Sequence, residues 1–315
     1  MVTSPLVTIA IPNYNYSRYV CEALESVSLQ NYLDIEILVL DDKSTDNSVE
    51  IVNSWISHYK GSIKVRLLCN SQNGGLTKAC NVLLNNATGK YIQFLDADDR
   101  ILPGKIARQV QLLEENSNAA LVYSDTELMN EDGVVFGQGY LKRIDYDPNC
   151  MPTGNVHAAL FSFNFVPLPS VLVRRQLLLE EGGFDESLGV QDYYMWLKLS
   201  AKHEFIFDSM MSARYRVHSS SMSNSHLTNP NSVHSVLEIK YRYFKTDNHR
   251  IREVIKQTLG SSAPYLYRYG HPAAKKWVKR NLIHNPSLKN FIQYICIYFN
   301  MPYFRIVRLF KRLSK

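Results

Sequence analysis

The sequence predicts an α/β fold, a mostly parallel central sheet flanked by helices, with a helical and basic C-terminal extension. Two observations predict the sheet. Short β-rich apolar runs alternate with segments that carry a single helical stripe, and the runs close on turn residues. A third marks the extension: beyond Glu253 there are twelve Lys or Arg and no Asp or Glu.

The elements follow in order. Residues 6–11 are the first β-rich run, closed by Pro12 and Asn13. Residues 18–30 set Tyr19, Val20, Ala23, Leu24 and Val27 on one helical face. Residues 35–40 are a second strand, residues 42–46 carry turn chemistry, and Val49, Val52 and Ile56 mark a second helix. Residues 63–69 are a third strand, and Leu76, Ala79, Cys80, Leu83 and Leu84 form the next stripe. Residues 91–95 are a fourth strand that runs directly into Asp96-Ala97-Asp98-Asp99. A helix over 104–115 precedes a fifth strand at 120–123. Strands alternating with amphipathic helices pair in parallel, and ligands then sit beyond the carboxyl ends of the strands. The loops at 12–14, 41–46, 73–75 and 96–99 all follow strands, so they converge on one crevice.

The second half is less regular. A strand is expected at 168–173, a helix at 192–201 and a strand at 213–217. The Ser- and Asn-rich residues 219–232 have little to bury and read as a mobile loop, and the pattern is helical and basic from 233. The expected division is therefore 1–232 and 233–315.

Composition sets limits. The chain is 45% hydrophobic and 20% charged, ordinary for a globular protein. Its five Cys include no Cys-x-x-Cys pair, which argues against a zinc or disulfide framework and fits a reducing cytoplasm. Cys69 and Cys80 read as small core residues. No secretory signal is read at the start, and no run approaches the roughly 18 apolar residues of a membrane span. The net charge of +6 conceals an asymmetry, since residues 1–253 hold 23 basic and 29 acidic side chains, a net of −6.

Three carboxylates in four residues repel one another if buried without a cation. At a strand end they make a hard-oxygen site for Mg²⁺ or Mn²⁺, which can bridge a diphosphate; the alternative is a solvated acidic turn. Tyr14, after the first strand, suits stacking on a base, and a carboxylate of Asp41-Asp42 suits a base N–H. Taken singly, each motif is more commonly a turn or a helix cap.

Together the motifs carry more. Val7-Thr-Ile-Ala-Ile-Pro-Asn-Tyr-Asn15, Ile37-Leu-Val-Leu-Asp-Asp-Lys-Ser-Thr-Asp46, Asn73-Gly-Gly and Gly89-Lys-Tyr-Ile-Gln-Phe-Leu-Asp-Ala-Asp-Asp99 stand in one order. The chain resembles the family-two inverting glycosyltransferases with the A-type, single nucleotide-binding-domain, Rossmann-like fold. The match continues through Gly182-Gly-Phe-Asp-Glu186 and Gln191-Asp-Tyr-Tyr-Met-Trp-Leu197 and covers roughly residues 5–218.

The resemblance implies a nucleotide-sugar-binding and catalytic domain, with a donor half over about 1–125 and an acceptor half over about 126–232. It implies transfer of a sugar from a nucleoside-diphosphate donor, UDP-linked by default, to a hydroxyl of a glycan or lipid-linked glycan, in surface polysaccharide or lipopolysaccharide synthesis. Pro12, Tyr14 and Asp42 match the nucleoside pocket. Asp98 matches the metal ligand, and Asp96 lies nearer the ribose or donor sugar and shares the metal. His218, in Tyr215-Arg-Val-His, is the third ligand candidate, or a solvated imidazole. Lys78 meets phosphate oxygens, or is a surface lysine. Asp192 matches the catalytic base, taking the acceptor proton; the alternative is an N-cap for its helix. Family members often have Glu-Asp where this chain has Gln191-Asp192. A sugar-nucleotide nucleotidyltransferase and a non-catalytic carbohydrate-binding protein are the rivals. The loop at 12–18 has no Gly to make the first of these, and the three aspartates argue against the second.

The tail is a separate matter. Ile306, Val307, Phe310 and Leu313 fall on one helical face, with Arg305, Arg308, Arg312 and Lys315 elsewhere around it. That pattern fits a helix of residues 288–315 lying on an anionic membrane surface, peripheral to the inner face of the cytoplasmic membrane. The alternative is packing on the domain or on a second subunit. Nucleic acid is not an expected partner, because no recognition motif accompanies the charge.

Overall fold

The structure, a computed structural model, describes residues 4–188, 191–218, 229–299 and 301. The chain divides into two compact units, Met1–Ser187 with Gln191–Ser221, and Leu188–Val190 with Met222–Lys315.

The first unit is built on one sheet. Strands β1 (Val7–Asn13), β2 (Ile35–Asp41), β3 (Lys64–Cys69) and β4 (Tyr91–Phe94) stand in the order β3-β2-β1-β4, every pair parallel. The apolar runs of β1, β2 and β4 are buried on both faces, as a covered parallel sheet requires, whereas the edge strand β3 is exposed or half-buried along its length. Helices α1 (Val20–Ser28) and α2 (Ser48–His58) supply Val20, Ala23, Leu24, Val27 and Val52 to a cluster with Val7, Ile9, Ile11, Ile35, Ile37 and Val39. Helix α3 (Leu76–Asn86) packs on β1 and β2 outside that cluster, with Ala10, Leu38 and Leu40 buried at the alternate strand positions. Helix α4 (Lys105–Glu115) completes the cluster through Ile106, Val110 and Leu113.

Beyond β4 the sheet is mixed, which refines the mostly parallel expectation. Strand β8 (Leu172–Arg174) runs antiparallel between β4 and β6 (Ala119–Met129). Strand β9 (Glu204–Arg216) lies parallel to β6, and the short β5 (Arg100–Ile101) pairs antiparallel with it. A two-residue β7 (Val135–Phe136) turns back on β6. Two successive antiparallel pairings restore the direction of β4, so β6 and β9 end at the same edge as β1, β2 and β4. The remaining helices of this unit are α5 (Tyr140–Arg143), α6 (His157–Ser162), α7 (Arg175–Glu180) and α8 (Gln191–Ser200). Residues 168–170, expected to begin a strand, form a 3-10 turn with Pro169 in it.

Glu36 ties the parallel strands together. It stands beside Thr8 in the β1–β2 register and is 6% exposed. One of its carboxylate oxygens accepts from the Thr8 hydroxyl (2.7 Å), the Thr88 amide (2.7 Å) and the Thr88 hydroxyl (2.9 Å). Gly89 follows because the backbone passes too close for a side chain: a Cβ there would lie 2.7 Å from the Thr8 nitrogen. Burial pushes the Glu36 carboxyl up, but these hydrogen bonds and Arg66 together hold it below its usual 4.5.

The second unit is helical: α9 (Pro230–Arg242), α10 (His249–Arg268), α11 (Ala274–His284) and α12 (Leu288–Tyr298). Its core includes Leu237, Ile251, Ile255, Leu259, Leu266, Trp277 and Val278. The Trp277 indole N–H donates to His234 at 2.9 Å, and the Arg280 guanidinium lies 4.0 Å from the Tyr241 ring centroid. Helix α9 begins inside the stretch 219–232 that the sequence presents as a loop; residues 219–228 lie outside the described residues. So does most of the expected amphipathic tail, with Arg305, Ile306, Val307, Arg308, Phe310, Arg312, Leu313 and Lys315. Cys80 is buried as expected, whereas Cys69, at the exposed end of β3, is not a core residue.

Because the folded-state pKa of Glu36 is depressed, its contribution is fully present above the unfolded pKa and is lost as pH falls through the folded one. Glu36→Gln is expected to lower the unfolding free energy by about 1–2 kcal/mol at neutral pH, with the deficit shrinking as pH falls below the usual carboxylate value of 4.5. Urea midpoints across that range measure it, and a deficit independent of pH would contradict the assignment.

Candidate functional site

The parallel strands deliver their following loops to one edge. The loop after β1 and the loop after β2 are laced into one piece. The Asn13 amide donates to Asp41 at 2.8 Å, and the Asn15 side-chain oxygen accepts from the Thr45 amide at 2.7 Å. Asn15 sits at φ 59°, the left-handed region that Asn tolerates. Pro12 is buried in β1, while Tyr14 projects from this piece with 43% of its surface exposed.

Asp42 has a definite structural task. Its carboxylate accepts from the Asn70 side chain (2.7 Å), the Gly74 amide (3.0 Å) and the Gly75 amide (2.7 Å). It thereby fixes the loop that opens α3, where Gly75 needs a φ of 83°. Lys78, one turn into α3, is exposed and folds its stem back over Gly74, where a Cβ would come within 2.8 Å of its Cδ.

The acidic turn follows β4. One ligand atom from each of Asp96, Asp98 and Asp99 can be chosen so that all lie within 4.8 Å of one another. Asp98 is 8% exposed and Asp99 1%. Burial, then the charges of Asp98 and Asp192, push the Asp96 carboxyl up to about 7. Burial and the two neighbouring aspartates raise Asp99 well above the carboxylate range, and one of its oxygens is buried without a hydrogen-bond partner. Tyr16 is raised by burial and by the fields of Asp98, Asp96 and Asp99. Crowded oxygen ligands, an orphaned carboxylate oxygen and an acid held near 7 all fit a hard divalent cation.

His218 and Asp192 reach this turn from the second half of the chain. His218, two residues past β9, makes a 2.9 Å hydrogen bond through Nε2 to Asp98 Oδ2. Its ring lies against Tyr19 (centroids 5.9 Å) and Tyr16 (6.2 Å). Asp192 stands in the first turn of α8, half-buried, with the Asn164 amide 3.5 Å from its Oδ2. Its field contributes to the shifts of Asp96, of the buried Cys80 thiol and of Tyr140. Asp96, Asp98, His218 and Asp192 are therefore brought together. Pro12, Tyr14, Asp42 and Lys78 belong to the neighbouring β1–β2–α3 edge. Trp196 is fully buried in α8, a core residue.

Sequence reasoning missed the residue that organises the turn. Arg216 closes β9 and is 1% exposed. Its amide donates to Asp99 Oδ1 (2.8 Å) and its Nε to the Asp98 carbonyl (2.7 Å). Nη1 donates to the carbonyls of Glu131 (2.9 Å) and Asn130 (3.2 Å), and Nη2 donates to Glu22. The guanidinium lies 4.4 Å from the Tyr19 ring centroid. Glu22 also binds Arg100, whose Nε donates at 3.0 Å. The only signal was the spacing Arg216-x-His218, which puts both residues at one strand end.

Comparison with known proteins then bears on these residues. The family model for glycosyl transferase family 2 matches residues 8–160. An uncharacterized glycosyltransferase of Rickettsia prowazekii is 32% identical over 233 residues, covering 72% of this chain and 68% of that protein. One from Rickettsia felis is 32% identical over 267 residues, 84% of this chain but 41% of its own length. Two solved structures share the fold at low identity. Staphylococcus aureus TarS in complex with UDP-GlcNAc has a TM-score of 0.63 at 18% identity, covering 92% of this chain and 78% of that one. The mannosyltransferase PcManGT from Pyrobaculum calidifontis, in complex with GDP-Man and Mn²⁺, has a TM-score of 0.62 at 17% identity, covering 96% and 83%.

Arg216→Lys keeps a positive charge but loses the fork of donors. It is expected to cost about 3 kcal/mol of unfolding free energy, because the carbonyls of Asp98, Asn130 and Glu131 lose their donor and Glu22 loses one of its two arginines. Denaturant titration measures this, and a loss below about 1 kcal/mol would show that the network is not a structural centre.

Proposed function

The chain belongs to glycosyl transferase family 2, and on that premise we propose that it moves a sugar from a nucleoside-diphosphate sugar to an acceptor hydroxyl with inversion. The observation that carries the reading is the convergence of Asp96, Asp98, Asp99 and His218 with the field of Asp192 at the carboxyl edge of the sheet. The donor is UDP-linked in this reading. In support of that base, TarS was solved with UDP-GlcNAc; PcManGT, solved with GDP-Man and Mn²⁺, supports only a nucleoside-diphosphate sugar and a divalent cation. The acceptor is a glycan or lipid-linked glycan, in surface polysaccharide or lipopolysaccharide synthesis. A lipid-linked acceptor fits a peripheral position on a cytoplasmic membrane face. The family favours neither rival, nucleotidyltransferase nor non-catalytic binding protein.

The residues divide the work. Tyr14 stacks on the base over Pro12, and Asp42, already holding Gly74 and Gly75, takes a base N–H with its remaining acceptor capacity. Lys78 lies one turn beyond those glycines and meets diphosphate oxygens. Asp98, Asp96 and His218 would hold Mn²⁺ or Mg²⁺, which supplies charge compensation for the departing diphosphate. Asp192 accepts the proton of the attacking hydroxyl, so no covalent enzyme intermediate is required. The general base needs a carboxylate facing the acceptor, and the first turn of α8 offers one beside the acidic turn.

Two substitutions test these roles. Asp192→Asn is expected to lower kcat by roughly 10²–10⁴-fold while nucleotide affinity, read by calorimetry, stays within about twofold. Near-normal transfer by this variant would remove Asp192 from the mechanism. Asp98→Ala is expected to abolish the dependence of donor affinity on Mn²⁺; titrations of UDP-sugar with and without the ion that match wild type would rule out the metal assignment.

A further inference from the structure

Helix α12 has two opposed faces. Gln293, Cys296 and Ile297 are buried, whereas Leu288, Phe291 and Tyr298 are exposed with Ile295 half-buried among them. At about 100° per residue, positions 288, 291, 295 and 298 form one stripe, roughly opposite the buried one. The stripe continues at Phe299 and Met301. Leu288 is 74% exposed, Phe291 51%, Tyr298 58% and Phe299 64%. A contiguous row of large apolar side chains in water marks an interaction surface rather than scattered surface residues.

Helix α11 supplies the charge. Ala274, Trp277, Val278 and Asn281 are its buried side, and Lys275, Lys276, Lys279 and Ile283 are exposed on the other. The two exposed faces meet, since Lys275 Nζ lies 5.7 Å from the Tyr298 ring centroid. Lys276 is offset by Glu238 at 2.7 Å, which leaves Lys275 and Lys279 to set the potential of this face. No Asp or Glu occurs after Glu253.

Apolar and aromatic side chains bordered by lysines are the chemistry of a lipid headgroup boundary. At 11 residues α12 is too short to cross a bilayer, and no described helix is long and apolar enough to do so. A nucleic acid would use the lysines but not the Leu288–Phe291–Tyr298 row. We propose that the joined exposed faces of α11 and α12 dock the protein in the plane of an anionic lipid bilayer, the row in the acyl boundary and Lys275 and Lys279 at the headgroups. This proposal stands apart from the sugar-transfer reading, because none of these residues belongs to the acidic site.

The test is co-sedimentation of the purified full chain with phosphatidylcholine vesicles, with and without phosphatidylglycerol. Wild type is expected to pellet with the anionic vesicles only, and to be released by salt. Phe291→Ser with Tyr298→Ser, and separately Lys275→Gln with Lys279→Gln, are each expected to weaken binding by about tenfold or more. Light scattering is expected to give one mass for wild type and both variants. If the serine pair melts early by circular dichroism, the glutamine pair, at two exposed positions, decides. The proposal is overturned if wild type binds neither vesicle or both equally, or if a correctly folded variant binds like wild type. It is equally overturned if the serine pair turns an oligomer into a monomer, which would make the face a contact between copies of the chain.

Discussion

Three carboxylates crowded at the end of β4 are the constraint around which the first unit is arranged. Buried anions that close repel one another and lose hydration. The cost is visible in Asp96, pushed up to about 7, and in Asp99, which burial and its neighbours also raise. A sequence would shed such residues unless something compensated them. Arg216 is the internal compensation, and it arrives from β9, more than a hundred residues later in the chain.

That delivery depends on strand direction. Had β6 and β9 run opposite to β4, Arg216 and His218 would lie at the far edge of the sheet. The three-residue β8 prevents this, because two antiparallel pairings in succession return the chain to its original direction. The parallel β1–β2 pair does the equivalent for the other side of the site, placing the loops after Asn13 and Asp41 side by side. Glu36 and its threonines lie at the opposite edge. The Glu36 hydrogen bonds are thus separate from the edge at which the acidic turn lies.

What could be read from the sequence followed from length and contrast. The runs that became β1 to β4 and the stripes of α1 to α4 span at least a turn or several strand positions, so periodicity reveals them. Strands β5 and β7 have two residues and show no period, and the strand expected at 168–173 caught only Leu172 and Val173 of β8. The first part of β9 was missed because Asp208, Ser209 and Ser212 interrupt its alternation, and a register shift against Ser124 and Thr126 falls there. The acidic turn, His218 and Asp192 could be singled out by type and order. Arg216, Glu22 and the grip of Asp42 on Gly74 and Gly75 could not. Each is a partnership between distant positions, and a lone Arg or Glu looks like any surface charge until its partner is placed.

The Arg216 network also shows what an internal cation does for the site. Among the described residues its guanidinium donates to the carbonyls of Asp98, Asn130 and Glu131 and to Glu22, and its backbone amide donates to the Asp99 side chain. Glu22 meanwhile faces both Arg216 and Arg100, so the three groups together leave one net positive charge shared over a wide area. The guanidinium therefore sets the backbone of the turn, while the Asp96 carboxyl stays raised by burial and by the charges of Asp98 and Asp192. His218 places its Nε2 2.9 Å from Asp98 Oδ2. The crowded oxygens of Asp96, Asp98 and Asp99, on a turn whose backbone Arg216 holds, have the hard-oxygen chemistry on which the proposed cation role rests.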